Sequence, residues 1–187
     1  MTAMSVHATA PFTVADLEGM PDDGRRYELI DGELLVSPAP GLRHQTVGLR
    51  LYRLLDDACP ADLYALAAPF AVQPDQLTEV QPDVLVARFA ELTEKNLPTA
   101  PVLAVEVLSP SGQSIDLTLK RALYQRMGVS SYWIIDPKVP SLLALELGPN
   151  GKYREVAKAV GDEPFEATRP FAVRIIPNDL LGRLRVR

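Results

Sequence analysis

A chain of 187 residues carries a net charge of −5, with 47% hydrophobic and 23% charged residues and a mean hydropathy of +0.03. That composition excludes a membrane span and a low-complexity segment, and its acidic balance argues against a general nucleic-acid binder, whose affinity comes mostly from clustered Lys and Arg. Cys59 is alone, which excludes an internal disulfide framework and a multi-cysteine zinc cluster and suits the reducing cytoplasm.

One domain over residues 1–187 is expected, a length that suffices for one well-buried core. The first ten residues lack the basic start and apolar run of a signal peptide and read as a frayed, disordered, cytoplasmic N-terminus. Thr13 to Asp16 has capping-box spacing, so a short helix is expected over 13–19. Residues 26–36 place two apolar segments around Asp31-Gly32, a pair that tolerates positive φ and predicts a β-hairpin with a type I′ turn. From Arg43, Val47, Leu51, Leu54, Leu55 and Ala58 recur at helical intervals until Pro60. Segments 63–72, 83–87 and 102–108 are short, apolar and bounded by prolines, and read as strands. The last of them is apolar on both faces except for Glu106, as in a central covered strand.

A second amphipathic helix follows through Ile115, Leu119, Ala122, Leu123 and Met127, with Ser114 as cap and Gly128 just past its end. Tyr132 to Ile135 reads as a buried strand, and 141–147, 152–159 and 171–176 as further strands, with a turn at Pro149-Asn150-Gly151. The order predicts an α/β fold, a mixed β-sheet flanked by helices with an N-terminal β-hairpin. Positive charge gathers at Arg43, Arg50 and Arg53 and again at Arg183, Arg185 and Arg187, where a solvated helix face and a charged edge strand are the plain readings.

The chemistry resides in the carboxylates. Asp83 opens one strand and Glu106 stands near the end of the next, where an unpaired buried carboxylate would cost several kcal/mol. If these strands are neighbours, the two acids meet at one end of the sheet and supply hard oxygen ligands for Mg²⁺, with Mn²⁺ as the alternative ion. Lys120 borders the apolar stripe of the second helix, so its amine can reach the same end; Asp116, four residues earlier, can pair with it as an ordinary helical ion pair. Structural alternatives stand beside these: a turn residue for Asp83, an arginine-paired charge for Glu106. Glu28 and Glu33 fall on one face of the hairpin, and either could be an accessory acid or a surface carboxylate. Arg43 and His44 begin a helix, where cations are unfavourable without an anion; Arg43 and Arg50 are therefore weak phosphate-binding candidates, and a neutral hydrogen-bonded role for His44 is the alternative. Ser109 and Ser111 lack a Gly-x-Ser-x-Gly setting and a triad histidine, and read as loop caps.

The strings Tyr27-Glu-Leu-Ile-Asp-Gly-Glu33, Gln81-Pro-Asp83, Val105-Glu-Val-Leu-Ser-Pro-Ser111, Asp116 with Lys120, Leu123 and Tyr124, and Tyr132-Trp-Ile-Ile-Asp-Pro137, together with Pro40, Gly41 and His44, resemble the Uma2-type (DUF820) family. That family is similar to the PD-(D/E)XK restriction-endonuclease-like superfamily, and the resemblance covers residues 13–137. It implies a restriction-endonuclease-like core with Asp83 and Glu106 as metal ligands. Leu108 stands where the usual lysine would follow Glu106, so Lys120 is expected to take that lysine's place from the helix. The implied function is a Mg²⁺-dependent nuclease, a hydrolase of phosphodiester bonds in DNA, cytoplasmic, without a membrane and acting as a homodimer. Two rivals stay open: an inactive binding module on the same fold, which the acidic balance favours, and a hydrolase of a small phosphorylated substrate.

Overall fold

In the computed structural model, which describes residues 4–6, 10–109 and 115–185, the N-terminal half holds strand β1 (Met4–Val6), helix α1 (Val14–Leu17) and the hairpin β2 (Arg26–Ile30) and β3 (Glu33–Ser37). Asp31 and Gly32 take φ of 53° and 80°, the pair of positive values a type I′ turn requires, and they set Ile30 opposite Glu33. Thr13 and Asp16 close the capping box, with the Thr13 N–H donating to Asp16 Oδ2 at 2.7 Å. Within the stretch expected to fray, Met4–Val6 instead pair antiparallel with β3; His7 lies outside the described residues.

Helix α2 (Leu42–Ala58) follows and buries Val47, Gly48, Leu51 and Leu55. Leu54 and Ala58, expected on its apolar stripe, are exposed. The segment 63–72 is two strands rather than one: β4 (Leu63–Ala67) and β5 (Ala71–Asp75) flank the cis Ala68–Pro69 bond and belong to different sheets. Then come β6 (Thr78–Val80), β7 (Val84–Arg88), β8 (Asn96–Leu97) and β9 (Leu103–Val107). The second amphipathic segment is a wide π-type turn at Ile115–Lys120 running into α3 (Arg121–Met127), which Gly128 ends at φ 85°; the proposed cap Ser114 lies outside the described residues. The remainder is β10 (Ser131–Asp136), β11 (Ser141–Leu147), β12 (Tyr153–Val160), the ribbon β13 (Phe165–Ala167) and β14 (Val173–Ile175), and a 3₁₀ segment at Pro177–Leu184. Arg183 is thus on a helical turn and not on an edge strand, because Pro177 and the kink at Gly182 suit tight turns. Arg187 lies outside the described residues.

Two six-stranded sheets result, in the orders β1-β3-β2-β6-β5-β8 and β12-β11-β10-β9-β7-β4. The second is mixed: β9 runs parallel to β10 and antiparallel to β7. Its strands alternate between two cores, as a doubly covered sheet must. Val84, Val86, Leu103, Val105 and Val107 face α2 residues Val47, Leu51 and Leu55. Leu85, Ala87 and Ala104 face Leu123 and Tyr124 of α3 and Ile30 and Leu35 of the hairpin. That second core is where the two sheets and α3 meet, and its polar edge forms the site.

Candidate active site

Val84 is paired with Val105 across β7 and β9, so one further step of the same register sets Asp83 opposite Glu106. Both side chains then lie on the face toward α3 and the hairpin, since alternate residues share a face. Asp83 is 6% exposed and Glu106 1%, a depth at which each needs partners.

Asp83 has four. Arg26 Nη1 donates to its Oδ1 at 2.9 Å, while Oδ2 accepts from the Val107 N–H at 2.8 Å and lies 3.1 Å from His44 Nε2. The Arg26 guanidinium also donates to the Gln81 carbonyl. Burial alone would raise the Asp83 pKa; the His44 hydrogen bond and the charges of His44, Arg26 and Lys120 outweigh it and hold the carboxyl well below the usual range. Arg26 is driven the other way: burial disfavours its charge, but Asp83, Glu28 and Glu106 hold the guanidinium protonated.

Glu106 is met from the helix side. Lys120 Nζ stands 3.1 and 3.2 Å from its two carboxylate oxygens, and the Tyr124 hydroxyl donates to Oε1 at 2.6 Å. Lys120 and Tyr124 are four residues apart and so share a helix face. Burial, followed by the charges of Glu106 and Glu28, keeps the Tyr124 phenol protonated far above its ordinary range. Lys120 also lies 3.0 Å from Glu28 Oε1, which accepts the Gln81 N–H at 2.7 Å. The π-type turn at Ile115–Lys120 sits where the chain enters α3, with Lys120 as its last residue.

The structure therefore brings Asp83, Glu106 and Lys120 together and adds Glu28, His44, Arg26 and Tyr124. Glu33 shares the hairpin face of Glu28 but is exposed at the turn. The Asp116 side chain and Ser111 lie outside the described residues. Arg43 and Arg50 are exposed; Arg50 packs against Gly182, where an added Cβ would meet its guanidinium. Arg26 and Tyr124 were not singled out from the sequence for chemistry, though each carried a signal: Arg26 alternates with Glu28 onto the buried face, and Tyr124 follows Lys120 by one helical turn.

A cleft of about 40 Å³ reaches Asp83 between Arg26, His44, Gly48 and the Ala67-Ala68 bend, room for a few waters and not for a sugar or base. Asp83 and Glu106 are the hard oxygen donors that a divalent cation prefers. Among the described residues no three His, Cys, Asp or Glu side chains converge on one point as a ready metal cage. The donor set fits a cation in kind, with the ammonium of Lys120 and the donors of Arg26 and His44 holding the acid oxygens in this arrangement. Three carboxylates, Asp83, Glu106 and Glu28, stand against the cations of Lys120 and Arg26 and the imidazole of His44.

A mixed sheet covered on both sides, with acids at the paired ends of two central strands and a lysine arriving from the adjacent helix, defines a restriction-endonuclease-like fold. The family model Uma2, described as "Putative restriction endonuclease", matches residues 14–176, and the chain belongs to the Uma2 family. Among solved structures it is similar to a "putative nuclease belonging to DUF820" from Anabaena variabilis, with a TM-score of 0.71 and 19% identity over 92% of this chain and 98% of that one. Comparison with curated proteins gives no match. Among the described residues no helix is long and apolar enough to cross a membrane.

Proposed function

We propose that this protein is a divalent-metal-dependent endonuclease that hydrolyses phosphodiester bonds in DNA, with Asp83 and Glu106 holding the ion. The observation that carries this reading is the meeting of Asp83, Glu106 and Lys120, distant in sequence, at one buried point of the sheet's end. The family's description as a restriction endonuclease supports the same chemistry. When bound, Mg²⁺ or Mn²⁺ supplies Lewis-acid polarisation of the phosphate and lowers the pKa of a coordinated water.

The protein's own groups do the rest. Lys120 places a fixed positive charge where negative charge develops on the phosphate, a contribution of about 3–4 kcal/mol in comparable sites. Tyr124 and the Val107 N–H fix the orientations of Glu106 and Asp83, so that the acids need no rearrangement as charge builds. Glu28 balances the charge of Lys120 from the other side and keeps its amine at the end of the sheet.

The test is nicking of plasmid DNA in Mg²⁺ or Mn²⁺ by the wild type, Glu106→Gln and Lys120→Met, alongside calorimetric titration with Mn²⁺. Cleavage and Mn²⁺ binding by the wild type, both lost in Glu106→Gln, would support the reading. A wild-type protein that binds no Mn²⁺ and leaves plasmid intact would overturn it. The second reading, an inactive binding module, draws on one observation: the acid oxygens of Asp83 and Glu106 already face cationic or N–H and O–H donors. A polar core of that kind can serve folding alone, and the same null titration would favour it.

A further inference from the structure

A second cavity, apart from the acid cluster, is basic. It measures about 350 Å³ and is lined by Arg43, Lys138, Pro140, Asn178, Leu181 and Arg185, a size that admits a phosphorylated group where the cleft at Asp83 admits only waters. It lies where the first turn of α2, the loop between β10 and β11 and the C-terminal 3₁₀ segment come together. Among the described residues no acidic side chain lines it.

Its cations are not equivalent. Arg185 is neutralised by Asp162 and Asp179, and the carboxylate of Asp136 is turned into its own loop, accepting the N–H groups of Lys138 and Val139. Arg43 and Lys138 are exposed and neither makes an ion pair among the described residues, so both charges are available to a ligand. Asn178 donates to Asp162 and holds that carboxylate beside Arg185, away from the other two cations. The first turn of α2 has no acid and no side-chain cap, so Arg43 stands beside backbone N–H groups that also favour an anion.

Placement ties this cavity to the acid cluster. Arg43 lines it, while His44, the next residue in the first turn of α2, lines the cleft at Asp83.

We propose that the pocket of Arg43 and Lys138 is a phosphate-binding subsite that holds a second phosphate of the substrate presented to Asp83 and Glu106. The proposal rests on the nuclease reading for its partner, DNA, but not for its chemistry, since a small phosphorylated molecule offers the same group. Binding comes from Arg43 and Lys138 as charge-assisted donors, with the apolar floor of Pro140 and Leu181 under the sugar.

The experiment measures binding in EDTA, where no cleavage occurs, so failure of the subsite and failure of the nuclease reading are separate results. A fluorescein-labelled short single-stranded DNA is titrated by anisotropy at several salt concentrations, with inorganic pyrophosphate as competitor, against wild type, Arg43→Gln/Lys138→Gln and a matched charge control, Arg53→Gln/Lys152→Gln. The pocket variant should bind roughly tenfold more weakly, with a salt slope smaller by about 1–2; the control should match wild type. Unchanged DNA binding with loss of calorimetrically measured pyrophosphate binding would assign the pocket to a small phosphorylated molecule. Equal losses in the pocket and control variants, or no change in either ligand, would overturn the subsite. All four positions are exposed, and circular dichroism checks that each variant is folded.

Discussion

Lys120 reaches Glu106 from 14 residues further along the chain, with its amine 3.1 and 3.2 Å from the two carboxylate oxygens and both residues almost wholly buried. Removing one partner of such a pair leaves a charge without compensation, which costs about 3–5 kcal/mol. Lys120→Met should therefore lower stability by that amount in urea unfolding, and Lys120→Met/Glu106→Gln should recover part of it, because the amide needs no counter-charge. A double variant as unstable as the sum of the two single ones would show that the pair is not coupled.

The Tyr124 hydroxyl donates to Glu106 at 2.6 Å, and hydrogen bonds to a charged group contribute about 1.5–3 kcal/mol. Tyr124→Phe keeps the ring in its packing against Tyr132, whose centroid is 5.1 Å away, and removes the donor alone. The expected outcome is a destabilisation of about 2 kcal/mol and slower cleavage. Because the phenol stays protonated far above the ordinary range, the wild-type rate should show no alkaline limb from this group. An alkaline limb present in wild type and abolished in Tyr124→Phe would contradict that assignment.

Much of this arrangement is legible from residue patterns, and the reasons for the gaps are physical. Asp31-Gly32 announced its turn because only residues that tolerate positive φ suit it, and Glu106 stood out because a charge in an apolar central strand needs a partner. Glu28 and Glu33 could not be separated, since alternation gives the shared face but not which end of the hairpin the other sheet covers. The contact of His44 with Asp83 joins α2 to the start of β7, a long-range pairing that periodicity does not encode. The strands β6 and β8 are too short to show alternation, and the π-type turn before α3 keeps the helical spacing of apolar residues that conceals it.

Asp83 gives the pH dependence its sign. Burial opposes its ionisation, but His44, Arg26 and Lys120 together hold the folded carboxyl well below the value of about 3.9 for an unfolded aspartate. Below that value the unfolded chain takes up a proton that the folded one refuses, so stability falls as pH falls. The contribution is complete above about pH 5 and is lost progressively below about pH 4. Asp83→Asn should be less stable than wild type at neutral pH yet show a flatter acid limb in urea midpoints measured from pH 6 downward. Parallel curves would mean that another carboxylate governs the acid transition.

Gly182 adopts φ 53° and ψ −122°, a conformation that side-chain-bearing residues avoid, and a Cβ there would collide with the Arg50 guanidinium. Two costs are separable. Gly182→Ala should destabilise by about 1–3 kcal/mol, and Arg50→Ala in the same protein should relieve the contact but not the backbone strain. Thermal unfolding of the double variant should fall between Gly182→Ala and wild type. Full recovery would assign the whole effect to the guanidinium.

Leu108 occupies the position, two residues after Glu106, where a lysine is usual in the wider superfamily that the family resembles, and it follows directly on the N–H of Val107 that holds Asp83. Glu106 and Leu108 are two apart along an extended segment, so their side chains leave the backbone on the same side. An ammonium placed at 108 could then meet Glu106 from the strand in place of the one that α3 delivers. Lys120→Met/Leu108→Lys should regain part of the stability lost in Lys120→Met and at least tenfold of the lost cleavage rate, a lowering of the barrier by about 1.4 kcal/mol. Leu108→Lys alone should slow cleavage, because a second ammonium beside Glu106 competes with Lys120 and crowds the partly buried apolar packing that Leu108 provides. If the double variant unfolds and cleaves no better than Lys120→Met, the amine must arrive from the helix.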